Sequence, residues 1–505
     1  MGSIKGLAGN TVWYGLSSIV ARFFTYLLVP LYTTVFLPGE YGIVTELYSF
    51  TAFLYPIFTY GMETAYFRFS TKNKDSEPTN FNRVVSAIIC STVVLSGLLI
   101  WFGQDISMAL DYPEKEILFY WMASILGVDA LTAIPFARLR LHNKAKKFAL
   151  LKFFNIMFSV FLNLFFLIFC LKVYLGEWFP SMQPFMRAYY DVNFKVKYIF
   201  LSNLISNSLL LPLLFKEFKG FRFQLDFKKL KPILIYGAPL LFMGLAGVTS
   251  EMLSRVLLKY WLPLGFYPGQ TSMDALGIFG ACYKLSIFMV LSIQAFRYAA
   301  EPFFFSSAGG EKSPQLFADI MTGFVIFNAL IFVGISVNLD WIGLFLRDPA
   351  YREGLVVVPV LLLAYLFNGI YYNLSIWYKI KDKTSYGATI TILGALLTIV
   401  LNFVLIPILG YFGSALVTLL TFVVMVVISF FLGQKHYPIP YQTGKILGYI
   451  ILSTLLVTGF YPLSIDGLML NILVKNMAVL LFGIVVYILE REHISGRMIF
   501  GFRIP

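Results

Sequence analysis

Residues 397–422 read "LTIVLNFVLIPILGYFGSALVTLLTF", part of a stretch with no charged residue between Lys383 and Lys435. A helix rises about 1.5 Å per residue, so about 20 apolar residues cross a hydrocarbon core of roughly 30 Å. This stretch is long enough for two crossings, 386–406 and 412–432. The rest of the 505 residues carries the same message. The chain is 59% hydrophobic and only 13% charged, with a mean hydropathy of +0.78. Soluble domains lie near 45–50% apolar and about 25% charged, so a soluble globular protein is excluded.

Working outward, apolar runs predict fourteen spans in an all-α polytopic membrane protein. The first seven fall at 9–36, 42–67, 84–103, 117–137, 153–171, 198–215 and 233–258. The others fall at 275–300, 316–339, 354–376, 386–406, 412–432, 446–463 and 471–490. An even number puts both termini on one side. Charge says which: of 39 Lys and Arg, 26 fall in the loops that then share the N-terminal side, eight in the opposite loops and five within spans. By the positive-inside rule both termini are expected in the cytoplasm. The N-terminus "MGSIKGLAGN" lacks the pattern of a cleaved signal peptide.

Weak internal matches suggest a repeat. Tyr14-Gly15 aligns with Tyr236-Gly237, Gly42 and Tyr48 with Gly277 and Tyr283, and Leu162-Asn163 with Leu401-Asn402. Offsets of 222, 235 and 239 drift slowly and keep their order. This predicts two six-helix lobes, 1–225 and 226–432, related by the repeat, with two additional C-terminal helices in 433–505.

Loops are short and hold no catalytic constellation. Cys90, Cys170 and Cys282 lie in apolar runs, and His142, His436 and His493 are far apart, so neither a metal motif nor a cofactor is expected. The informative residues are ionisable groups inside spans, which cost at least about 2.5–3.5 kcal/mol each to insert and therefore face a bundle interior or a wet cavity. Arg22, Arg255, Lys284 and Arg297 come from the opening helices of the two repeats and predict a cationic cavity for an anionic head group. Asp129, Glu251, Glu63 and Glu46 are the candidates for coupling to H+ or Na+. Glu251 and Arg255, spaced i,i+4, are also placed to neutralise each other, and Glu46 or Glu63 to pair with Arg22. Lys475, near a span end, is expected to snorkel.

The segments "NTVWYGLSSIVARFFTYLLVPLYTTVFLPGEYGIVTELYSF", "YGMETAYFRF", "YKLSIFMVLSIQAFRYAAEPFFF" and residues 397–422 resemble the bacterial polysaccharide (O-antigen type) flippases of the multidrug/oligosaccharidyl-lipid/polysaccharide exporter superfamily. The resemblance implies two six-helix lobes around a cationic cavity. It also implies transfer of undecaprenyl-pyrophosphate-linked oligosaccharide from the cytoplasmic to the periplasmic leaflet of the inner membrane by alternating access. Arg22 then matches a functional Arg of the first helix. Expected partners are the lipid-linked oligosaccharide, membrane lipids and polysaccharide assembly proteins, with no nucleic acid. Three other readings fit less well. A MATE-type multidrug extruder favours twelve spans and acidic sites. A polysaccharide polymerase or glycosyltransferase needs a large outer loop and acidic motif, but Asp-x-Asp does not occur. A major-facilitator carrier needs a Gly-Asp-Arg-rich loop where this chain has "RFSTKNKDSEPTNFNR".

Overall fold

The computed structural model describes residues 15, 19–20, 22–72, 74–307, 313–494, 498–499 and 502–503. Most of the first half of the first expected span, including Tyr14, lies outside them, as do the side chains of Glu301 and His493.

The described chain is helical, apart from a two-residue antiparallel pairing of Met498–Ile499 with Phe502–Arg503. Its first long elements are α1 (Val29–Val35), α2 (Pro38–Thr59), α3 (Met62–Lys72) and α4 (Glu77–Trp101). They continue with α5 (Glu116–Leu141), α6 (Ala145–Leu164), α7 (Lys197–Ser208) and α8 (Phe227–Trp261). The remainder are α9 (Ser272–Lys284), α10 (Ile287–Ser307), α11 (Ser313–Val337), α12 (Val357–Leu374), α13 (Thr384–His436), α14 (Thr443–Phe460) and α15 (Leu468–Ile494).

Local chemistry sets several boundaries. Pro38 opens α2, where its missing N–H costs nothing, and Glu40 reaches back to the Leu37 amide at 3.0 Å. Asp226 caps α8 by accepting from the Lys229 amide. The expected span 42–67 is not one helix: it breaks where Tyr60 and Gly61 take positive φ. Gly61 is obligatory there, since a Cβ would lie 2.7 Å from the Gly237 carbonyl oxygen. A π-helical turn, Phe165–Cys170, carries α6 on to Leu175.

Among the described residues nine helices are long and apolar enough to cross a membrane, or ten if α9 and α10, bent by 47°, count as one. The chain is thus a multi-pass membrane protein. The 53-residue α13 covers two expected spans and bends at Gly410, whose φ is 57°. The second and sixth expected spans fall outside this set. α2 is diluted by Thr, Ser, Tyr and Glu, and α7 has only 12 residues.

The chain divides into two compact units, residues 1–280 with 395–410, and residues 281–394 with 411–505. In the first, α5 is the hub, packing on α2, α3, α4 and α7, while α8 runs along α2 and α3. In the second, α11 is the hub and packs on α10, α12, α14 and α15. α14 and α15 thereby gain an anchor that the sequence does not announce. Lys475, expected to snorkel, is instead 2% exposed and donates to Asp340 at 2.5 Å and to the Tyr461 carbonyl at 3.1 Å. A polar partner within reach removes the need to climb to the interface.

Candidate functional site

Three groups of ionisable residues stand out. The first lines a cavity of about 350 Å³ in the first unit. Tyr55 of α2, Glu63 of α3, Asp129, Thr132 and Arg140 of α5, and Lys152 of α6 all face it. Glu63 forms an ion pair with Arg140. Asp129 Oδ1 accepts from Asn207 Nδ2 at 2.8 Å, and Asn207 Oδ1 accepts in turn from Asn155 Nδ2 at 3.0 Å. The Lys152 ammonium lies 4.3 Å over the Phe136 ring and interacts electrostatically with Asp129. The cavity therefore holds two carboxylates and two cations. Water reaches the Glu63–Arg140 pair, whose side chains are more than a third exposed, and screens its coupling. Protonating either carboxylate frees its cationic neighbour.

The second group surrounds Glu46, which is fully buried on α2. Its carboxylate accepts from Tyr112 Oη, from Tyr260 Oη at 2.7 Å and from Lys259 Nζ at 3.1 Å. Lys259 also donates to the Leu110 carbonyl at 2.6 Å and lies 4.4 Å over the Tyr112 ring. Three donors, one of them a direct counter-charge, meet the demands of a buried acid.

The third group gathers at Tyr26. The charges of Arg22, Arg255 and Glu251 all act on its hydroxyl. Arg22 is exposed, whereas Arg255 is 7% exposed, with Nη1 2.9 Å from Met252 Sδ. Arg255 also acts on the buried Tyr41. A guanidinium held in low dielectric is suited to phosphate oxygens, which it binds in bidentate fashion.

Lys284 and Arg297 lie in the second unit. Lys284 is half-buried at the last residue of α9. The Arg297 guanidinium stacks 4.3 Å over Tyr372, and its buried Nε has no hydrogen-bond partner among the described residues.

The structure thus brings Glu63 and Asp129 into one cavity, while Arg22, Arg255 and Glu251 share an electrostatic influence on Tyr26. The alternative pairs of Arg22 with Glu46 or Glu63 give way to Lys259 and Arg140. Sequence reasoning does not reach Arg140, Lys152, Lys259, Tyr112 or Tyr260. The first three sit within three residues of expected span ends, where a charge reads as a loop residue.

Among the described residues the chain is a multi-pass helical bundle with charges buried between its helices, an architecture that membrane transporters share. Its fold is similar to that of solved members of that class. The lipid II flippase MurJ in its inward closed conformation superposes with a TM-score of 0.71 at 14% identity, covering 96% of this chain and 100% of that one. An inward-facing MATE multidrug transporter gives 0.59 at 11% identity, covering 85% and 95%. A transporter of the same superfamily from Pyrococcus furiosus, described as having a binding pocket of reversed polarity, gives 0.53 at 10% identity, covering 85% and 95%. No curated protein matches the chain. A family model does: it matches residues 7–307, and the chain belongs to the polysaccharide biosynthesis protein family.

Proposed function

We propose that this protein is a flippase that moves undecaprenyl-pyrophosphate-linked oligosaccharide from the cytoplasmic to the periplasmic leaflet of the bacterial inner membrane. The observation that carries the reading is Arg255, 7% exposed on the membrane-spanning helix α8, with Arg22 and Arg255 both acting electrostatically on Tyr26. A buried arginine such as Arg255 is costly in a bilayer and by default marks a substrate or ion path. In the proposed cycle these guanidiniums bind the pyrophosphate and the glycan follows the head group through a hydrated path; Lys284 and Arg297 are separate candidates for contact with the anionic lipid. The polyprenyl tail stays in lipid. Movement of the repeat-related halves exposes the head group on alternate sides. Both termini lie in the cytoplasm, as the distribution of basic residues favours.

Coupling to H+ or Na+ is assigned to Asp129 and Glu63, because both line the mixed-charge cavity. Glu251, beside Arg255, is the next candidate. Glu46 is the least suited, since its donors already satisfy it. Extrusion of cationic drugs is disfavoured because the cavity's two carboxylates are matched by Arg140 and Lys152.

The test is reconstitution into liposomes with a labelled polyprenyl-pyrophosphate oligosaccharide, following its accessibility in each leaflet. The wild type should move it, and Arg22→Ala and Arg255→Ala should slow transfer at least about tenfold without lowering thermal stability. Arg→Lys should rescue each only in part. Transfer at the wild-type rate by both alanine variants, or uptake of ethidium in place of the lipid, would overturn the proposal.

A further inference from the structure

The segment joining α7 to α8 reads "FKEFKGFRFQLDFKKLK" over residues 215–231. Six cations alternate with five phenylalanines in this strap. Lys216, Lys219, Arg222, Lys228, Lys229 and Lys231 are exposed. So are Phe215 at 73%, Phe223 at 58% and Phe227 at 71%. Large exposed aromatics between exposed cations are costly in water, and they need an environment that takes both.

The strap is not a loose loop. The Arg222 amide donates to Asn82 Oδ1 at 3.3 Å and the Gln224 amide to Ser86 Oγ at 2.8 Å, pinning its middle to the first turns of α4. Asp226 is spent on the cap of α8. Glu217 is buried and consumed inside, receiving Lys147 at 2.7 Å and Lys144 at 3.2 Å. Glu217 is therefore withdrawn from the surface, and the half-buried Asp226 offsets only Lys229, 3.7 Å away, so the strap's outward charge stays strongly positive.

Position completes the argument. The strap leads directly into α8, one of the helices long and apolar enough to cross the membrane. It therefore lies at the boundary between hydrocarbon and water. Clustered Lys and Arg beside a membrane helix attract anionic headgroups, and aromatic rings beside them enter the acyl boundary. We propose that the strap is a docking surface for anionic phospholipid headgroups, with Phe215, Phe223 and Phe227 as its wedges. A pinned backbone holds the cations in place before lipid arrives, which reduces the ordering cost. This role does not depend on what the protein transports.

The experiment uses the purified full-length chain in detergent, titrated with phosphatidylglycerol or phosphatidylcholine and read by native mass spectrometry. The wild type should retain phosphatidylglycerol over phosphatidylcholine by at least about fivefold, and less so in high salt. Combined K216Q, K219Q, R222Q and K228Q should bring the ratio close to one while leaving thermal stability in phosphatidylcholine unchanged. If that variant does not purify, K219Q with R222Q carries the same test with a smaller loss. K379Q, K381Q, K383Q and K435Q together remove equal charge elsewhere and should leave the ratio intact. An unchanged ratio in the strap variants overturns the proposal, and so does an equal loss in the distant set. Loss of cross-links to another protein in native membranes, with lipid preference kept, would identify a protein dock and also overturn it.

Discussion

Lys259 Nζ stands 3.1 Å from Glu46 Oε2, joining the last turn of α8 to the middle of α2 across 213 residues of sequence. The carboxylate is fully buried, so its energetics follow the rule for internal ion pairs. Removing one partner is worse than removing both, because a lone buried charge stays behind. Lys259→Met should lower unfolding stability by about 3–5 kcal/mol. The double variant with Glu46→Gln should recover much of that loss. Thermal unfolding of the single and double variants in one detergent checks this, and equal losses would refute it.

The cavity that holds Glu63 and Asp129 predicts a change in energetics rather than in binding. Asp129→Asn combined with Glu63→Gln should abolish the dependence of lipid transfer on pH or sodium gradients, while head-group affinity stays within about twofold. Transport assays under opposed gradients report this directly. Full gradient dependence in the double variant would remove both residues from the coupling role.

Glu217 predicts a limb in the acid range. Burial pushes its carboxyl up, but hydrogen bonds from Lys147 and Lys144 and their charges outweigh that and hold it below the ordinary value of 4.5. A carboxylate with a depressed folded-state pKa stabilises the fold fully above its unfolded value, and that contribution fades as pH falls through the folded value. Wild type should therefore be more stable than Glu217→Gln at pH 6–7. The gap should narrow below about pH 4.5. Melting temperatures of the two proteins against pH measure it.

Close packing yields a fourth outcome. A Cβ at Gly277 would lie 1.8 Å from the Pro38 carbonyl oxygen, and one at Gly42 would lie 2.3 Å from the Met273 carbonyl oxygen. Neither neighbour is a flexible side chain, so the backbones must separate. Gly277→Ala should cost about 1–3 kcal/mol, as overpacking does. Gly247→Ala, where nothing lies within 4 Å, should cost far less and serves as the control. Parallel unfolding curves separate the two.

The all-helical, multi-pass fold was legible because hydropathy depends on composition along one helix, which each span carries by itself. The pairing of charges was not. Helices that are apolar on every side give no rotational phase, so the sequence does not say which face of α2 meets α8 or α5. Asp129 and Glu63 stand out as acids in apolar surroundings, yet nothing in the run of residues places them in one cavity with Arg140 and Lys152. The break at Tyr60–Gly61 was hidden for a related reason. A Tyr-Gly pair inside a span is unremarkable until a neighbouring backbone approaches within van der Waals contact. Lys475 shows the same limit, since its partner Asp340 lies in a connection 135 residues earlier.

That break also makes α2 and α3 the two arms of a lever. The arm before the joint has 22 residues and the arm after it has 11. At about 1.5 Å per residue they measure roughly 33 and 16 Å. A rigid tilt about Gly61 would thus displace the far end of α2 by about twice as much as the tip of α3. Glu63 sits almost at the fulcrum, whereas Glu46 rides some 14 residues out. A rotation about this joint would therefore leave the Glu63–Arg140 contact nearly in place while shifting the Glu46–Lys259 contact several times as far.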